Sequence, residues 1–404
     1  MTTTSAWTHV ARAGAALAAG MGVGRFVYTP ILPLMHAQAG LSAGAGANLA
    51  TANYVGYLVG ALAGTLVPAL VRSRAALRGS LLLLTATLAA MPLTRGAAVW
   101  EVLRLLAGAA SALVFVIAVA SVLHHLREHP AHLPGWAFGG VGAGIALSGL
   151  LVLALRSVSD WRAAWWAAAA LAGVLAAASW NLRPEDAPPV PVSGSRTTAR
   201  THRWFGALFV SYFLEGVGYI VAGTFLVAAI GQGSPGWVGS GAWVLVGLAA
   251  VPSSALWARL GRRWSRPGLL ITALTVQAVG IALPAVTGST AAALGSAVLF
   301  GATFLGVSTL ALATGAHLRF PRSVALLTAG YSVGQILGPL VVAPLLRHGY
   351  HQALLLAALV VLAAAAAAAV LRIGFPHHMG AEHTAPVRRR RPAEATHTAE
   401  ATHT

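Results

Sequence analysis

The sequence predicts an all-α polytopic membrane protein with twelve transmembrane helices, arranged as two pseudo-symmetric six-helix bundles. Three observations lead to this fold class. Only 9% of the 404 residues are charged and 57% are hydrophobic, with a mean hydropathy of +0.75, whereas a soluble domain carries roughly 25% charged residues. The hydrophobic residues form blocks long enough to cross a membrane, and a polar linker divides these blocks into two equal groups.

Each predicted span is a hydrophobic block that ends at a cluster of Gly, Pro, Arg or His. A helix needs ~20 apolar residues to cross the hydrocarbon core. The first block is not typical of a signal peptide, because Arg25 lies deep inside it and Pro30 and Pro33 follow, so we interpret it as a retained helix. The predicted spans are 9–34, 45–70, 77–95, 98–126, 133–156, 161–182, 204–230, 237–260, 267–287, 290–317, 323–346 and 351–373.

A Pro-rich segment in the middle of the chain sets the predicted domain boundaries. Residues 1–182 form the N-terminal six-helix bundle, 183–203 the central cytoplasmic linker, and 204–373 the C-terminal six-helix bundle. Residues 374–404 are polar and contain four consecutive arginines. We therefore expect a disordered cytoplasmic tail after the last span.

Related glycine patterns in the two halves indicate an internal repeat. Gly-Val-Gly-Arg ending at Arg25 corresponds to Gly-Val-Gly-Tyr ending at Tyr219, and a pattern of small residues every four positions begins at Gly140 and again at Gly330. The offsets are 194 and 190 residues. Small residues at this spacing let helix backbones approach closely. Chance similarity in Gly-rich helices is the alternative, and the nearly equal offsets favour a duplication of the kind found in transporters.

Arginine supplies every basic residue of the chain, and its distribution predicts the orientation in the membrane. With the N-terminus in the cytoplasm, twenty arginines fall on the cytoplasmic side and four outside, as the positive-inside rule requires. Both termini are therefore expected in the cytoplasm. A chain rich in Ala, Gly and Arg and without Lys is typical of high-GC bacteria, so we expect the bacterial inner membrane.

Composition excludes several other classes of function. The chain has no cysteine, which rules out disulfides, thiolate metal sites and cysteine nucleophiles. Without lysine it has no ATP-binding loop of the Gly-x4-Gly-Lys type. The net charge of +17 lies between hydrophobic blocks rather than on a soluble face, so we expect no nucleic-acid partner. We expect no cofactor and no metal, because the histidines from His124 to His132 lack a supporting carboxylate pattern.

Motifs in the fourth span and after the eighth resemble those of the major facilitator superfamily. Arg104 followed by Gly108 and further small residues is similar to the family's fourth-helix motif. Residues 258–263, Ala-Arg-Leu-Gly-Arg-Arg, resemble the second copy of its cytoplasmic loop motif, whereas the first copy, at 71–74, lacks the family's Asp. The resemblance implies a transporter in which helices 1, 4, 7 and 10 line a central cavity.

A narrower resemblance covers about the first 60 residues. Residues 20–35 read Gly-Met-Gly-Val-Gly-Arg-Phe-Val-Tyr-Thr-Pro-Ile-Leu-Pro-Leu-Met, and Gly-Leu-Ser at 40–42 and Asn-Tyr-Val-Gly-Tyr-Leu at 53–58 follow. This series is similar to the YbfB/YjiJ-like branch of the superfamily, whose members are mainly uncharacterised transporters.

Few ionisable residues lie inside the predicted spans, and they fall where the resemblance places the cavity. Arg25 is in the first span, Glu101 and Arg104 are in the fourth, and Glu215 is in the seventh. At a rise of about 1.5 Å per residue, Glu215 lies near the midplane and Arg25 about one turn further out. We therefore expect the two to pair across the halves. In this hypothesis Glu215 binds the coupling proton when substrate competes for Arg25; a static ion pair is the alternative.

Arg104 and the polar residues of neighbouring spans also have two interpretations. Glu101 lies three residues before Arg104 on the same helix face and neutralises it, or Arg104 contacts an anion or a proton route. The other polar side chains orient a substrate or form hydrogen bonds between helices. The candidate substrate and proton pathway comprises Arg25, Tyr28, Asn53, Tyr57, Arg104, Tyr212, Glu215, Tyr219, Tyr331 and Gln335.

Together these patterns predict a secondary active transporter that moves a small solute across the bacterial inner membrane by alternating access. We expect protons as the coupling ion, the lipid bilayer as the surroundings, a monomer as the working unit and no enzymatic activity. A non-transporting membrane sensor or scaffold with the same fold is the first alternative, and absence of solute flux would identify it. A membrane-embedded enzyme is the second, and it would require a convergent set of catalytic side chains.

Overall fold

The computed structural model describes residues 3–126, 129, 133–184, 199–234 and 236–375. Most of the predicted linker, 185–198, and the predicted tail from residue 376 onward lie outside the described residues. Within the described ranges the chain is helical and contains no strand. The all-α fold class is therefore confirmed.

Twelve helices are long and apolar enough to cross a membrane among the residues that the structure describes. Their number and order agree with the twelve spans predicted from hydrophobic blocks. They are, from α1 to α12, Ala6–Ala39, Ala43–Leu66, Arg74–Leu93, Ala97–His125, Leu133–Leu155, Trp161–Ser179, Arg200–Gly233, Gly236–Leu260, Arg266–Val286, Thr290–His317, Ser323–Val342 and Tyr350–Arg372. We call the membrane face where α1 begins and α12 ends the near side, and the opposite face the far side.

Side-chain caps explain where several of these helices begin. Ser42 Oγ accepts a hydrogen bond from the Ala45 amide at 3.1 Å, and Ser73 Oγ accepts from the Ala76 amide at the same distance. Such caps satisfy amides that the first turn leaves without an intrahelical partner. Helix α1 ends at Gly40, which adopts a left-handed conformation with a φ of 69°.

Helix α1 changes its winding inside the membrane. It is α-helical up to Leu17, π-helical over Ala18–Val23, and α-helical again from Tyr28 after an irregular turn. A π-helical turn rotates the following residues relative to a regular helix and frequently marks a functional site. The near segment of α1 packs on α4, α5 and α6, whereas the far segment packs on α7.

The repeated glycine patterns place helices in close contact in both groups of six. In the first group, a Cβ on Gly144 of α5 would lie 2.5 Å from the Ala18 carbonyl oxygen of α1. In the second, a Cβ on Gly334 of α11 would lie 2.5 Å from the Phe213 carbonyl oxygen of α7. Equivalent helices therefore use equivalent glycines to reach the same separation.

The two groups of six helices, α1–α6 and α7–α12, meet along two seams. One seam joins α5 to α8 and the other joins α2 to α11. Gly142 and Gly247 allow the backbones of α5 and α8 to touch in the middle of the first seam. The long central helices α1 and α7 lie between the seams, and their most apolar segments are more completely buried than those of the outer helices.

Candidate functional site

The irregular turn of α1 is held by Arg104 of α4. In this turn the Thr29 amide donates to the Phe26 carbonyl rather than to the Arg25 carbonyl, which leaves the latter without an intrahelical partner. Arg104 Nη2 donates to the Arg25 carbonyl oxygen at 3.1 Å, and Nη1 donates to the Gly24 carbonyl oxygen at 3.2 Å. Because an unsatisfied backbone carbonyl is costly in a membrane, these two bonds stabilise the break.

Of the two interpretations of Arg104, the structure does not support neutralisation by Glu101. Both residues are described, and no ion pair joins them; Arg104 is buried, whereas Glu101 is half-buried. The Arg104 guanidinium instead lies 5.0 Å from the ring centre of Tyr28 and 6.0 Å from that of Trp165. Its partners are main-chain carbonyls and aromatic faces, so Arg104 acts mainly as a positioning residue for α1.

Arg25 lies at the centre of the molecule between the two groups of helices. Its Nη2 donates to Gln335 Oε1 of α11 and, at 3.4 Å, to the Tyr219 hydroxyl of α7. Its guanidinium also lies 4.4 Å from the ring centre of Tyr57 and 5.0 Å from that of Tyr54, both on α2. Arg25 is only 3% exposed, and its Nε has no hydrogen-bond partner.

The predicted ion pair between Arg25 and Glu215 is wrong. The described hydrogen bonds of Arg25 go to Gln335 and Tyr219, and Glu215 binds within its own group of helices. The π-helical turn explains the error, because it changes the direction in which Arg25 points relative to a regular helix. The rise per residue predicts the depth of a side chain in the membrane but not its rotation about the helix axis.

Glu215 is a completely buried carboxylate without a cationic partner among the described residues. Gln277 Nε2 of α9 donates to Glu215 Oε1 at 3.3 Å, and Glu215 Oε2 accepts no hydrogen bond. Glu215 has an exposed fraction of 0%. The Tyr212 and Tyr331 hydroxyls are its other polar neighbours. A charged carboxylate in such a place is expensive, and residues of this kind usually serve a function.

A column of stacked aromatic rings connects the surroundings of Glu215 with those of Arg25. The ring of Tyr331 stacks on Tyr212 at 4.3 Å and on Tyr219 at 5.3 Å between centres. Tyr219 in turn stacks on Phe304 of α10 at 6.2 Å. The column joins α7, α10 and α11.

Two predicted pathway residues have structural partners within the first group of helices. Asn53 Nδ2 donates to the Arg104 carbonyl oxygen at 2.8 Å, and the Tyr28 hydroxyl donates to the Gly46 carbonyl oxygen at 2.8 Å. These bonds fix α2 against α4 and against α1. Asn53 Oδ1 remains buried without a partner. For both residues the structure favours the interhelical hydrogen bond that the sequence left as one of two interpretations.

Several residues of this centre were not predicted from the sequence. Gln277 lies on an outer helix and is the lone side-chain amide in the segment 266–286. A single amide in an otherwise apolar span was the feature that could have indicated a buried polar contact. Tyr54 lies in the segment 53–58 that carries the resemblance to the YbfB/YjiJ-like branch, and its ring contacts Arg25. Phe304 carried no signal, because an apolar ring in an apolar helix is indistinguishable from ordinary core.

Five hydrogen bonds between described residues join the two groups of helices and lie at the level of Arg25 or nearer to the far side. Besides the two bonds of Arg25, three such bonds are present among the described residues. They join Thr29 Oγ1 to the Gly223 carbonyl oxygen at 2.5 Å, the Tyr54 hydroxyl to Thr224 Oγ1 at 2.7 Å, and His36 Nε2 to the Tyr350 hydroxyl at 2.6 Å. We call these five bonds the far-side seal.

The histidines at the near end of α4 do not form a metal site within the described part of the chain. No three His, Asp or Glu side chains come together there as a ligand set. The ring of His125 stacks on His9 of α1 at 4.0 Å and on His129 at 6.4 Å. His132 and Glu128 lie outside the described residues.

Comparison with known proteins places this geometry in context. Over residues 17–370 the chain matches the family described as "Uncharacterised MFS-type transporter YbfB". Among solved structures, it is similar to a crystal structure of a mutant of the nucleoside transporter NupG, with a TM-score of 0.68 and 13% sequence identity, over 89% of this chain and 99% of that chain. At this identity the similarity shows the fold alone. No curated protein matches the sequence.

Proposed function

The chain belongs to the family of uncharacterised YbfB-type transporters within the major facilitator superfamily, and on this basis we propose that it moves a small anionic solute by alternating access coupled to protons. The family makes it a multi-pass membrane protein and a transporter of a small molecule. The solute crosses chemically unchanged, so the protein is a carrier rather than an enzyme. One chain contains all residues of the pathway, and the working unit is a monomer.

Two buried charges that lack counter-charges support this proposal most directly. Arg25 has only neutral partners among the described residues, namely an amide, a hydroxyl and aromatic rings. Glu215 likewise has only neutral neighbours among the described residues, namely the Gln277 amide and the tyrosine hydroxyls beside it. An uncompensated charge is costly at this depth. An anionic solute supplies the missing counter-charge at Arg25, and a proton neutralises Glu215.

Competition for Arg25 gives the solute a way to change the conformation. In the described conformation Gln335 and Tyr219 accept hydrogen bonds from Arg25 and so join the two groups of helices. A carboxylate or phosphate is a stronger acceptor for a guanidinium than an amide or a phenol. Solute binding therefore replaces two bonds of the far-side seal. A ligand shifts a conformational equilibrium only through such a difference in contacts between the two states.

The aromatic column provides the link between solute and proton. Tyr219 contacts Arg25, and Tyr331 stacks on Tyr219 while also lying beside Glu215. When solute draws Arg25 away from Tyr219, the column is free to rearrange around Glu215. Protonation of Glu215 and occupation of Arg25 are thereby coupled without a direct ion pair between them.

The arginine distribution supports a cytoplasmic near side in the bacterial inner membrane. Described arginines are frequent at the near ends of helices, for example Arg72, Arg203, Arg262 and Arg319, whereas Arg95, Arg156, Arg162 and Arg347 are at the far ends. The positive-inside rule assigns the richer side to the cytoplasm. In this orientation the far-side seal closes the pathway to the outside.

The first prediction concerns Glu215. Purified protein is reconstituted into vesicles that contain a pH-sensitive dye, and short carboxylates and phosphates are added. Neutral nucleosides serve for comparison, because the solved structure of similar fold is that of a nucleoside transporter. We expect an anionic solute to cause proton movement in the wild type. The Glu215→Gln variant should still exchange that solute across the membrane but lose accumulation driven by a pH gradient, because its side chain no longer binds a proton.

The matched control is Glu101→Gln, which makes the same chemical change at a half-buried site on α4. This variant should retain accumulation at the wild-type level. Accumulation that persists in Glu215→Gln would contradict proton coupling through Glu215. Movement of neutral nucleosides in preference to all anions would contradict the role of Arg25.

A further inference from the structure

A cavity of about 180 Å³ lies at the near side, away from the central site. It is formed where the near ends of α1, α3 and α6 meet. Four of its seven lining residues are arginines, and the others are an aromatic, an amide and an apolar side chain. The lining residues are Arg12, Arg74, Arg78, Trp180, Asn181, Leu182 and Arg183.

The charge of this cavity is not balanced within the described residues. None of the four arginines forms an ion pair with a described carboxylate. Like charges around one cavity repel each other, and the repulsion is relieved when an anion binds among them. Glu185 and Asp186 follow Arg183 in the sequence but lie outside the described residues, so their effect on the cavity is included in the test below.

Hydrogen bonds hold the walls of the cavity in place. Arg78 Nε donates to the Trp180 carbonyl oxygen at 3.3 Å, and its guanidinium lies 4.8 Å from the centre of the Trp180 ring. Ser121 Oγ of α4 donates to the Arg183 carbonyl oxygen at 2.5 Å. The end of α6 is thus fixed to α3 and α4. A site with fixed walls loses less conformational freedom when it binds a ligand.

The cavity continues into an exposed apolar surface. Arg74, Arg78 and Leu82 follow each other at intervals of four on α3 and therefore share one helix face. Leu82 is 57% exposed, and Val174 on α6 is 67% exposed. Trp180 has the position at the membrane boundary where aromatic residues are frequent. A charged head and an apolar tail thus find adjoining surfaces here.

We propose that this cavity binds the phosphate group of an anionic phospholipid, with the acyl chains lying along Leu82 and Val174. Guanidinium groups bind phosphate with paired hydrogen bonds, and basic pockets between transmembrane helices bind anionic lipid head groups. A free phosphate ion offers the same chemistry to the arginines. The adjoining apolar surface favours the lipid. This site is separate from Arg25 and Glu215, and the proposal does not depend on proton coupling.

Native mass spectrometry of the purified full chain in detergent tests the proposal with phosphatidylglycerol, with phosphatidylcholine as the zwitterionic comparison. We expect stronger binding of phosphatidylglycerol by the wild type. The double variant Arg74→Gln, Arg183→Gln removes two exposed guanidinium groups and should weaken this binding by roughly 30-fold. The matched double variant Arg262→Gln, Arg263→Gln loses the same charge on the near side of the second group and should bind as the wild type does.

Four outcomes would overturn the proposal. Three of them are equal binding of the two lipids, equal weakening in both double variants, and complete displacement of phosphatidylglycerol by inorganic phosphate. The fourth is a tenfold or larger gain of phosphatidylglycerol binding in the double variant Glu185→Gln, Asp186→Asn, which would show that these carboxylates fill the cavity in the wild type. If Arg74→Gln, Arg183→Gln does not fold, Arg74→Lys, Arg183→Lys keeps the charge and should keep the preference for phosphatidylglycerol. Loss of that preference in the lysine variant, with wild-type folding, would be a fifth such outcome.

Discussion

Arg25 and Arg104 are both buried arginines near the middle of the membrane, and their partners differ in kind. Arg104 donates to two main-chain carbonyls within its own group of helices, whereas Arg25 donates to side chains of the other group. Main-chain carbonyls of a fixed helix break cannot leave their donor without loss of structure. A side-chain partner such as Gln335 can be replaced by a solute. We therefore expect Arg104 to stabilise the helix break and, under the proposed function, Arg25 to bind the solute.

The second prediction follows from this difference. Arg104→Gln should lower the free energy of unfolding by roughly 3 kcal/mol, because two hydrogen bonds from a charged donor are lost and two carbonyls stay buried. Arg25→Gln should change the stability less and should abolish solute binding. Thermal unfolding in detergent and a binding assay on the same preparations compare the two variants. A larger loss of stability in Arg25→Gln than in Arg104→Gln would contradict these assignments.

At the scale of residues, the sequence located the buried charges but not their partners. Hydropathy and the rise per residue placed Arg25 and Glu215 at similar depth, and the resemblance to the superfamily implied that their helices are central. Their partners depend on rotation about the helix axis, which the π-helical turn Ala18–Val23 alters. Gln277 was missed because an outer helix gave no reason to expect a contact with Glu215.

Helix α1 shows how a single element extends beyond its predicted limits. Hydrophobic blocks predicted a span over 9–34, and the structure gives Ala6–Ala39. The helix is longer because it passes through Pro33 and changes its winding at Ala18–Val23. Proline and glycine usually end helices in water, but neighbouring helices in a membrane satisfy the backbone groups that such a break exposes. Arg104 performs this function here.

The third prediction tests the close contacts of the glycine patterns. Gly144→Ala should destabilise the protein by about 1–3 kcal/mol, because the new methyl group meets the backbone of α1. Gly295→Ala is the matched control, since Gly295 lies in helix α10 with open space around it. Alanine has the higher helix propensity, so this control should be neutral or slightly stabilising. Thermal unfolding of both variants decides the matter, and equal effects would refute the packing argument.

For the whole molecule, the conformation is defined by where its two groups of helices touch. The five bonds of the far-side seal join them from the level of Arg25 outward. The seam between α5 and α8 also reaches the near side, where a Cβ on Gly135 would lie 3.0 Å from Ala255 Cβ. Hydropathy and the positive charges predicted the number of helices. They carried no information about which side of the pathway is closed, because both states of a transporter have the same spans. The domain limits 1–182 and 204–373 stay a prediction.

The fourth prediction addresses the far-side seal. Tyr350→Phe removes the hydroxyl that binds His36, and one neutral hydrogen bond contributes about 1 kcal/mol. The population of molecules whose far side is open should therefore rise roughly fivefold. The protein has no cysteine, so Ala228→Cys, one turn beyond Thr224 on the same face of α7, provides a single labelling site. The labelling rate by a thiol reagent that cannot cross the membrane measures the opening.

Tyr28→Phe is the control for this experiment, because the Tyr28 hydroxyl binds the Gly46 carbonyl within one group of helices. It should leave the labelling rate of Ala228→Cys unchanged. An equal rise in both variants would indicate general loosening rather than opening of the seal.

The seal contains no pair of opposite charges; its partners are hydroxyls, one main-chain carbonyl, an amide, an imidazole and one guanidinium. Dissolved ions weaken attraction between exposed opposite charges but have little effect on buried contacts of this kind. With its far side facing away from the cytoplasm, as proposed, the protein meets a medium whose salinity the cytoplasm does not set. Closure of the pathway is therefore expected to be the same in dilute and in saline surroundings.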